Sequence, residues 1–144
     1  MKLTSPEFEN KGNIPEKFSC QGEDINPELN IEDLPDEVKS LVLIVKDPDA
    51  PPGTWLHWLV YDIPADRAGI GEDSVPGTQG MNDFDRVEYG GPCPPSGEHR
   101  YFFRTYALDS ELDLEEGASR PEIENAMEGH VIEDCELMGR YSRN

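Results

Sequence analysis

The stretch KDPDAPPGTWLHWLVYDIP, residues 46 to 64, sets two aspartates among prolines directly ahead of a strand-like run that carries a histidine. Proline fixes its own φ, removes an N–H and pushes the preceding residue toward extended geometry, so Lys46 to Pro52 reads as a rigid, sharply shaped turn. The run after this turn, WLHWLVYDIP, is rich in aromatic and branched residues and reads as a strand. Immediately upstream, SLVLIVKD (Ser40 to Asp47) is a continuous apolar run, the mark of a strand covered on both faces and therefore central in its sheet. HRYFFRTYAL, from His99 to Leu108, supplies a third strand. The intervening segments CQGEDINPEL, PPGT, SVPGTQGMNDFD and YGGPCPPSGE are dense in Pro, Gly, Asn and Asp, as expected of the ordered loops of a mainly β domain.

One helix is predicted. SRPEIENAMEGHVIEDCELMGRY opens with Ser119 and Glu122 at capping-box spacing and places Ile123, Ala126, Met127, His130 and Val131 at helical intervals. This helix is expected to pack on the sheet, with His130 on its apolar side. Gly129, which costs about 1 kcal/mol relative to Ala within a helix, marks either close backbone packing or a helix end nearby.

A chain of 144 residues forms one domain, 1 to 144, and buries roughly two thirds of its unfolded surface. No apolar run reaches membrane-spanning length, and MKLTSPEFENKG lacks the apolar centre of a signal peptide, so a cytoplasmic chain with no integral membrane contact is expected. Twelve Lys and Arg against 31 Asp and Glu give a net charge of −19. Such a surface repels nucleic acid and anionic headgroups, which excludes both as partners held by general electrostatics. With 35% hydrophobic residues the acid is a solvated coat on a folded domain, and life at high intracellular salt is one explanation for it. Cys20, Cys93 and Cys135 have no C-x-x-C or zinc-finger spacing, and their odd count argues against a disulfide framework, leaving room for one optional pair.

A second segment, YGGPCPPSGEHRYFF (residues 89 to 103), matches the chemistry of the first. Gly90 and Gly91 can expose N–H groups at close range, while Pro92, Pro94 and Pro95 stiffen the rest of the loop. A period of two puts His99 and Tyr101 on one strand face, and Trp55, His57, Leu59 and Tyr61 on one face of the earlier strand. Two strand histidines, two stiff loops and an aspartate pair are the ingredients of a small polar pocket. An oxyanion there would be held by a loop N–H from Gly91 or its neighbours, the Tyr101 hydroxyl and one or both imidazoles. Asp47 would repel it unless that carboxylate stabilises a protonated histidine or accepts a proton carried by the ligand, and either case favours a monoprotonated phosphate.

Blander roles are open to the same residues. Asp47 and Asp49 can cap the turn, with Arg100 or Arg104 neutralising them, and Trp55 and Trp58 can be core or pocket wall. An enzyme alternative, a thiol hydrolase, uses Cys93 as nucleophile, His99 as base and Asp47 as orienter. Against it, Cys93 sits between prolines with no helix start after it to lower a thiolate pKa. A metal site from His57, His99 and an aspartate lacks the i, i+4 spacing of many catalytic motifs. No catalytic residue, metal or cofactor is expected.

DPDAP followed by W-x-H-W, then GGPCPPSGEHRY, resembles the two signature regions of the phosphatidylethanolamine-binding protein family, which includes the Raf kinase inhibitor proteins. The similarity is to its compact bacterial and archaeal branch and extends to FSCQGEDINPEL, GMNDFD and AMEGHVIEDCELMGRY. The resemblance implies an antiparallel-rich central sheet with a smaller sheet, a few short helices, and a pocket for phosphate, acetate or phosphorylated headgroups. Position by position, Asp47, Asp49, Ala50 and Pro51 match the first signature, with Trp55 and His57 on the strand after it. Gly90, Gly91 and Pro92 match the loop facing the anion, His99 and Tyr101 match the HRY element, and Tyr141 an aromatic at the pocket mouth. The resemblance also implies a cis peptide beside these prolines, with Ala50–Pro51 the natural candidate. Implied partners are a small phosphorylated or carboxylate ligand and, beyond it, a protein kinase or protease. The additional terminal helix of larger eukaryotic members has no counterpart before Asn144, which weakens transfer of kinase-specific regulation.

If the acidic coat repels an incoming anion, added salt screens that field. Stopped-flow association of a phosphorylated ligand is expected to speed up with salt; a monotonic fall would mean that local positive potential outweighs the coat.

Overall fold

The computed structural model describes residues 1–66 and 69–143. Strands β1 (Lys2–Thr4), β2 (Leu29–Glu32) and β5 (Gly69–Ile70) form a small antiparallel sheet, ordered β1-β2-β5. The main sheet, ordered β6-β4-β3-β7-β8, is antiparallel throughout and contains β3 (Ser40–Asp47), β4 (Trp55–Pro64), β6 (Thr78–Gln79), β7 (Glu98–Leu108) and β8 (Val131–Ser142). A 3-10 turn at Glu16–Phe18 and one helix, α1 (Arg120–Met127), complete the regular elements among the described residues.

The continuous apolar run of β3 does lie at the centre. Leu41, Leu43 and Val45 join a core with Trp58, Val60, Phe103 and the small sheet's Leu3, Leu29, Ile31 and Ile70. Val42 and Ile44 point the other way, into a second core with Leu56, Leu59, Tyr61, Leu108 and the α1 residues Ile123 and Met127. Alternation therefore buries successive β3 side chains on opposite faces, which is why no polar residue interrupts them before Lys46.

β4 departs from a simple period of two. Val45 pairs with Trp58 but Lys46 with Leu56, so His57 is an extra residue at a β-bulge. A second slip lies between Leu41↔Ile63 and Leu43↔Val60, where Asp62 takes a left-handed φ of 52°. The first bulge corrects the expected common face. Leu59 and Tyr61 belong to the helix-side core, whereas His57 turns its ring against Tyr101, with centroids 5.2 Å apart.

The predicted long helix is also corrected. Its start is as expected: the Ser119 hydroxyl accepts from the Glu122 N–H at 3.3 Å, and the Glu122 carboxylate accepts from the Ser119 N–H at 3.2 Å. The helix ends at Met127 and Gly129 adopts φ 82°, so the glycine marks the exit. Val131 to Ser142 instead forms β8, paired with β7 along its whole length. Pairing satisfies one edge of an 11-residue strand, and this tertiary demand outweighs local helical spacing. His130 is consequently exposed and bonds Asp109 Oδ1 through Nδ1 at 2.8 Å, rather than packing in a core.

One further expectation fails, and the optional cysteine pair is made. The described residues contain no cis peptide bond, so Ala50–Pro51 is trans. Cys20 and Cys93, 73 positions apart, form a disulfide that ties the loop after the 3-10 turn to the GGPCPP segment; counting cysteines and inspecting short spacings cannot see a pairing made by loop packing. Cys135 is the free thiol, and burial pushes its pKa up to about 11. No helix of the described residues is long and apolar enough to cross a membrane.

A cross-link closing a loop of this length removes unfolded-state entropy worth roughly 4 kcal/mol. A Cys20→Ser, Cys93→Ser double variant should lose stability on that scale in urea denaturation. A difference below about 1 kcal/mol would show that the loop packing alone carries the constraint.

Candidate functional site

The turn after β3 is built around one carboxylate. Asp47 is buried; its Oδ1 accepts the Asp49 N–H at 2.7 Å and its Oδ2 lies 2.7 Å from His99 Nδ1. The turn-capping role and the histidine-orienting role are thus held by the two oxygens of the same side chain. Asp49 points elsewhere. It takes Arg100 Nε and Nη2 in a two-point contact at 2.9 Å each, plus the Arg100 backbone N–H, and is not part of the cavity wall. These bonds from Arg100 hold its pKa down at about 2.

His57, brought to the cavity by the bulge, sets Nδ1 2.8 Å from the Gly90 carbonyl oxygen. A carbonyl only accepts, so Nδ1 carries the hydrogen. Burial lowers the His57 pKa from its ordinary 6.5, although the Gly90 carbonyl and Asp47 act in the other direction. His99 donates Nδ1–H to Asp47 in the same manner. The hydrogen bonds of both rings run through Nδ1, and the Gly91 backbone acts on the His57 ring beside that of Gly90. The Tyr101 hydroxyl is buried and has no acceptor for its hydrogen, while the Cys93 backbone N–H favours its oxygen's charged form. Burial, and then Asp47, push its pKa far upward, so it stays a protonated donor.

These groups floor a cavity of ≈ 250 Å³. Its walls are apolar: Pro51, Pro52 and Trp55 on one side, Cys93, Pro94 and Pro95 on another, and Phe84 edge-on to both Trp55 and His57 at 5.6 and 5.2 Å. Ala50 completes the rim, and no Lys or Arg lines it among the described residues. The sequence-named residues that meet here are Asp47, Ala50, Pro51, Trp55, His57, His99 and Tyr101.

Five others lie outside the lining. Besides Asp49, Gly90 supports His57 from behind with its carbonyl and donates its N–H to the His57 carbonyl at 3.0 Å. The Gly91 N–H is spent on Asp24 Oδ1 at 2.8 Å, which removes it from the expected set of anion donors. A side chain at Gly91 would place Cβ 2.2 Å from the Phe18 carbonyl oxygen, so the glycine serves this close loop approach. The Pro92 carbonyl accepts from the Cys20 N–H, and the Tyr141 hydroxyl is engaged with Ser19 and Gln21.

The hydrolase alternative fails at its nucleophile, since Cys93 Sγ is held in the disulfide and offers no thiolate. No cluster of three His, Cys, Asp or Glu among the described residues is arranged to hold a metal. The residue that sequence reasoning missed is Phe84. Its segment carries the signal: Asn82 and Asp83 of GMNDFD strap the loop to β4, with Asn82 Nδ2 donating to the His57 carbonyl and Asp83 Oδ2 accepting the Leu56 N–H.

Comparison with known proteins adds independent findings. The family model described as "Phosphatidylethanolamine-binding protein" matches residues 4–142. A protein of Methanothermobacter thermautotrophicus, named UPF0098 protein, is 48% identical over 151 residues, covering 99% of each chain. One of the same name from Aquifex aeolicus is 47% identical, covering 100% of this chain and 90% of its own. The crystal structure of a phosphatidylethanolamine-binding protein homolog from Chlamydia trachomatis superposes with a TM-score of 0.97 at 44% identity, over 99% of this chain and 97% of that one. Escherichia coli YbcL, described as a member of the mammalian phosphatidylethanolamine-binding protein family, gives 0.91 at 28% identity, over 99% and 98%.

The site's ionisable groups leave a mark on stability. The folded pKa of Asp49 is about 2 against 3.8 when free, so its contribution is present above 3.8 and lost as pH falls toward 2. His57 has a lowered folded pKa, so the unfolded chain takes up the proton first and stability falls as pH drops below 6.5. Urea denaturation against pH should show Asp49→Asn flattening the profile between about pH 4 and 2, and His57→Gln flattening it just below 6.5. Profiles parallel to the parent's would contradict both assignments.

Proposed function

Because the chain belongs to the phosphatidylethanolamine-binding protein family, we propose that it is a non-catalytic binding protein whose cavity between the β3–β4 turn and the GGPCPP loop takes the acidic head of a small phosphorylated or carboxylate ligand. The observation that carries this reading is the buried Tyr101 hydroxyl with no acceptor of its own, set beside two imidazoles already oriented through Nδ1. An unsatisfied buried donor costs free energy until an acceptor reaches it, and a ligand oxygen is such an acceptor. The His99 ring, stacked 6.5 Å from Tyr101, brings Nε2 to the same floor. The apolar walls would hold the carbon substituent of the ligand: an ester chain or ring passes between Trp55 and the prolines while its acid end stays below.

Asp47 does not need to touch the ligand. Both of its oxygens are engaged, and its part is to fix the turn and the His99 tautomer. A nucleophile is missing from this constellation, because the cavity's sulfur is in a disulfide and no Ser or Thr lines it among the described residues. Binding without turnover is what such a site supports.

Isothermal titration with inorganic phosphate and with phosphoethanolamine tests the reading directly. The parent protein should bind, and a His57→Ala variant with unchanged far-UV circular dichroism should bind at least about tenfold more weakly, the scale of one lost buried hydrogen bond. No binding by the parent would remove the anion-pocket reading.

A further inference from the structure

The hydrogen-bond polarity of the cavity floor says more about the ligand than its charge. Resting on the anion-pocket reading, we propose that the site selects oxyacids that still carry a proton on oxygen, phosphate monoesters above all, and rejects tetrahedral anions of the same size that carry none. His57 fixes the acceptor of the cavity floor. Its Nδ1 is 2.8 Å from the Gly90 carbonyl, which cannot donate, so the hydrogen resides on Nδ1 and the neutral ring turns a bare lone pair on Nε2 toward the cavity. Burial keeps this ring neutral by disfavouring its charged form. The strand bulge that aims it and the Asn82 bond to its own carbonyl fix its place from two directions.

The floor therefore presents one acceptor and one donor at fixed positions. Nε2 of His57 accepts; the Tyr101 hydroxyl, protonated and without an acceptor, donates. Nε2 of His99, whose Nδ1 gives its hydrogen to Asp47, is likewise an acceptor on the neutral ring and a donor only on a protonated one. The complement of this pair is a group bearing an O–H next to an O⁻ or a P=O. A monoprotonated phosphate monoester has both, and so does inorganic phosphate as its monoanion. Sulfate and phosphodiesters offer acceptors only and would set an oxygen lone pair against the lone pair of His57. Such a mismatch leaves two buried polar groups unpaired, and proteins use it to discriminate strongly between near-isosteres. No Lys or Arg among the described lining residues blurs the distinction by attracting every anion alike.

Asp47 cannot take the ligand's proton in place of His57. Its Oδ1 is committed to the Asp49 N–H and its Oδ2 to His99. The proton acceptor is the histidine on β4, which sequence reading placed in the pocket without settling which of its nitrogens faces the ligand.

The test is a four-ligand titration of the unmodified protein at constant ionic strength and about pH 6, where a phosphate monoester is half monoanion. Inorganic phosphate and methyl phosphate should bind at least about tenfold more tightly than sulfate and dimethyl phosphate. In nitrogen-15 spectra, the unprotonated Nε2 resonance of His57 should move when phosphate is added and stay in place with sulfate. Equal affinities for phosphate and sulfate would overturn the selectivity while leaving an anion pocket in place. Absence of binding by all four would overturn the selectivity together with the reading it rests on.

Discussion

One buried carboxylate holds the site together. Asp47 ends the central strand, caps the turn with one oxygen and receives the His99 ring with the other, so β3, the proline turn and β7 are fixed to each other at a single point. Burying a carboxylate is costly unless its lone pairs are used, and here both oxygens have short partners. The proline turn gains its shape from the same bonds: its first turn of backbone donates to Asp47, and its second aspartate clamps Arg100 on the outer face. Two acids one proline apart thus have different roles. Asp47 faces inward and orients an imidazole, while Asp49 faces outward and stitches the turn to β7.

The second constraint is the bulge in β4. A strand of perfect alternation would commit His57 to the face of Leu59 and Tyr61, under α1 and away from the cavity. One additional residue opposite the Val45–Lys46 step lets Leu56, Leu59 and Tyr61 fill the helix-side core while His57 and Trp58 both serve the other side. The bulge is therefore the device by which a buried strand contributes a polar ring to the cavity without losing a core position. The Asn82 and Asp83 strap then occupies the backbone groups around it and delivers Phe84 as a wall.

Legibility in the sequence was a matter of range. β3, β4 and β7 are written in local composition, and so is the helix start at Ser119, because strand burial and capping are properties of a few adjacent residues. The two proline loops marked the site for the same reason. β8 was hidden because EIENAMEGHVIEDCELMGRY satisfies a helical spacing across Gly129; the alternation of Cys135, Leu137, Gly139 and Tyr141 toward the core was the competing signal. The Cys20–Cys93 bond, the Gly91 to Asp24 contact and the bulge are all set by segments far apart in sequence, and no local pattern encodes them. Tyr141 shows the limit from the other side: the family resemblance set it at the pocket mouth, and the β7–β8 register does place it opposite His99, but its hydroxyl is turned to Ser19 and Gln21.

How a protein of net charge −19 could hold an anion without a cation in the cavity is a question of distance. At physiological ionic strength the Debye length is about 8 Å, so most of the acidic coat is screened from the cavity floor. Of the nearby acids, Asp49 is compensated by Arg100 and Asp47 by its two hydrogen bonds, which spread its charge over the turn and the His99 ring. Within contact distance there remains a set of oriented neutral dipoles: an O–H, a bare imidazole nitrogen, and a second imidazole backed by a carboxylate. Dipoles discriminate by direction, whereas a Lys or Arg would discriminate mainly by charge. A site made this way lacks the long-range attraction that speeds capture of any anion, and on the proposed reading its affinity depends on where the ligand carries its hydrogen.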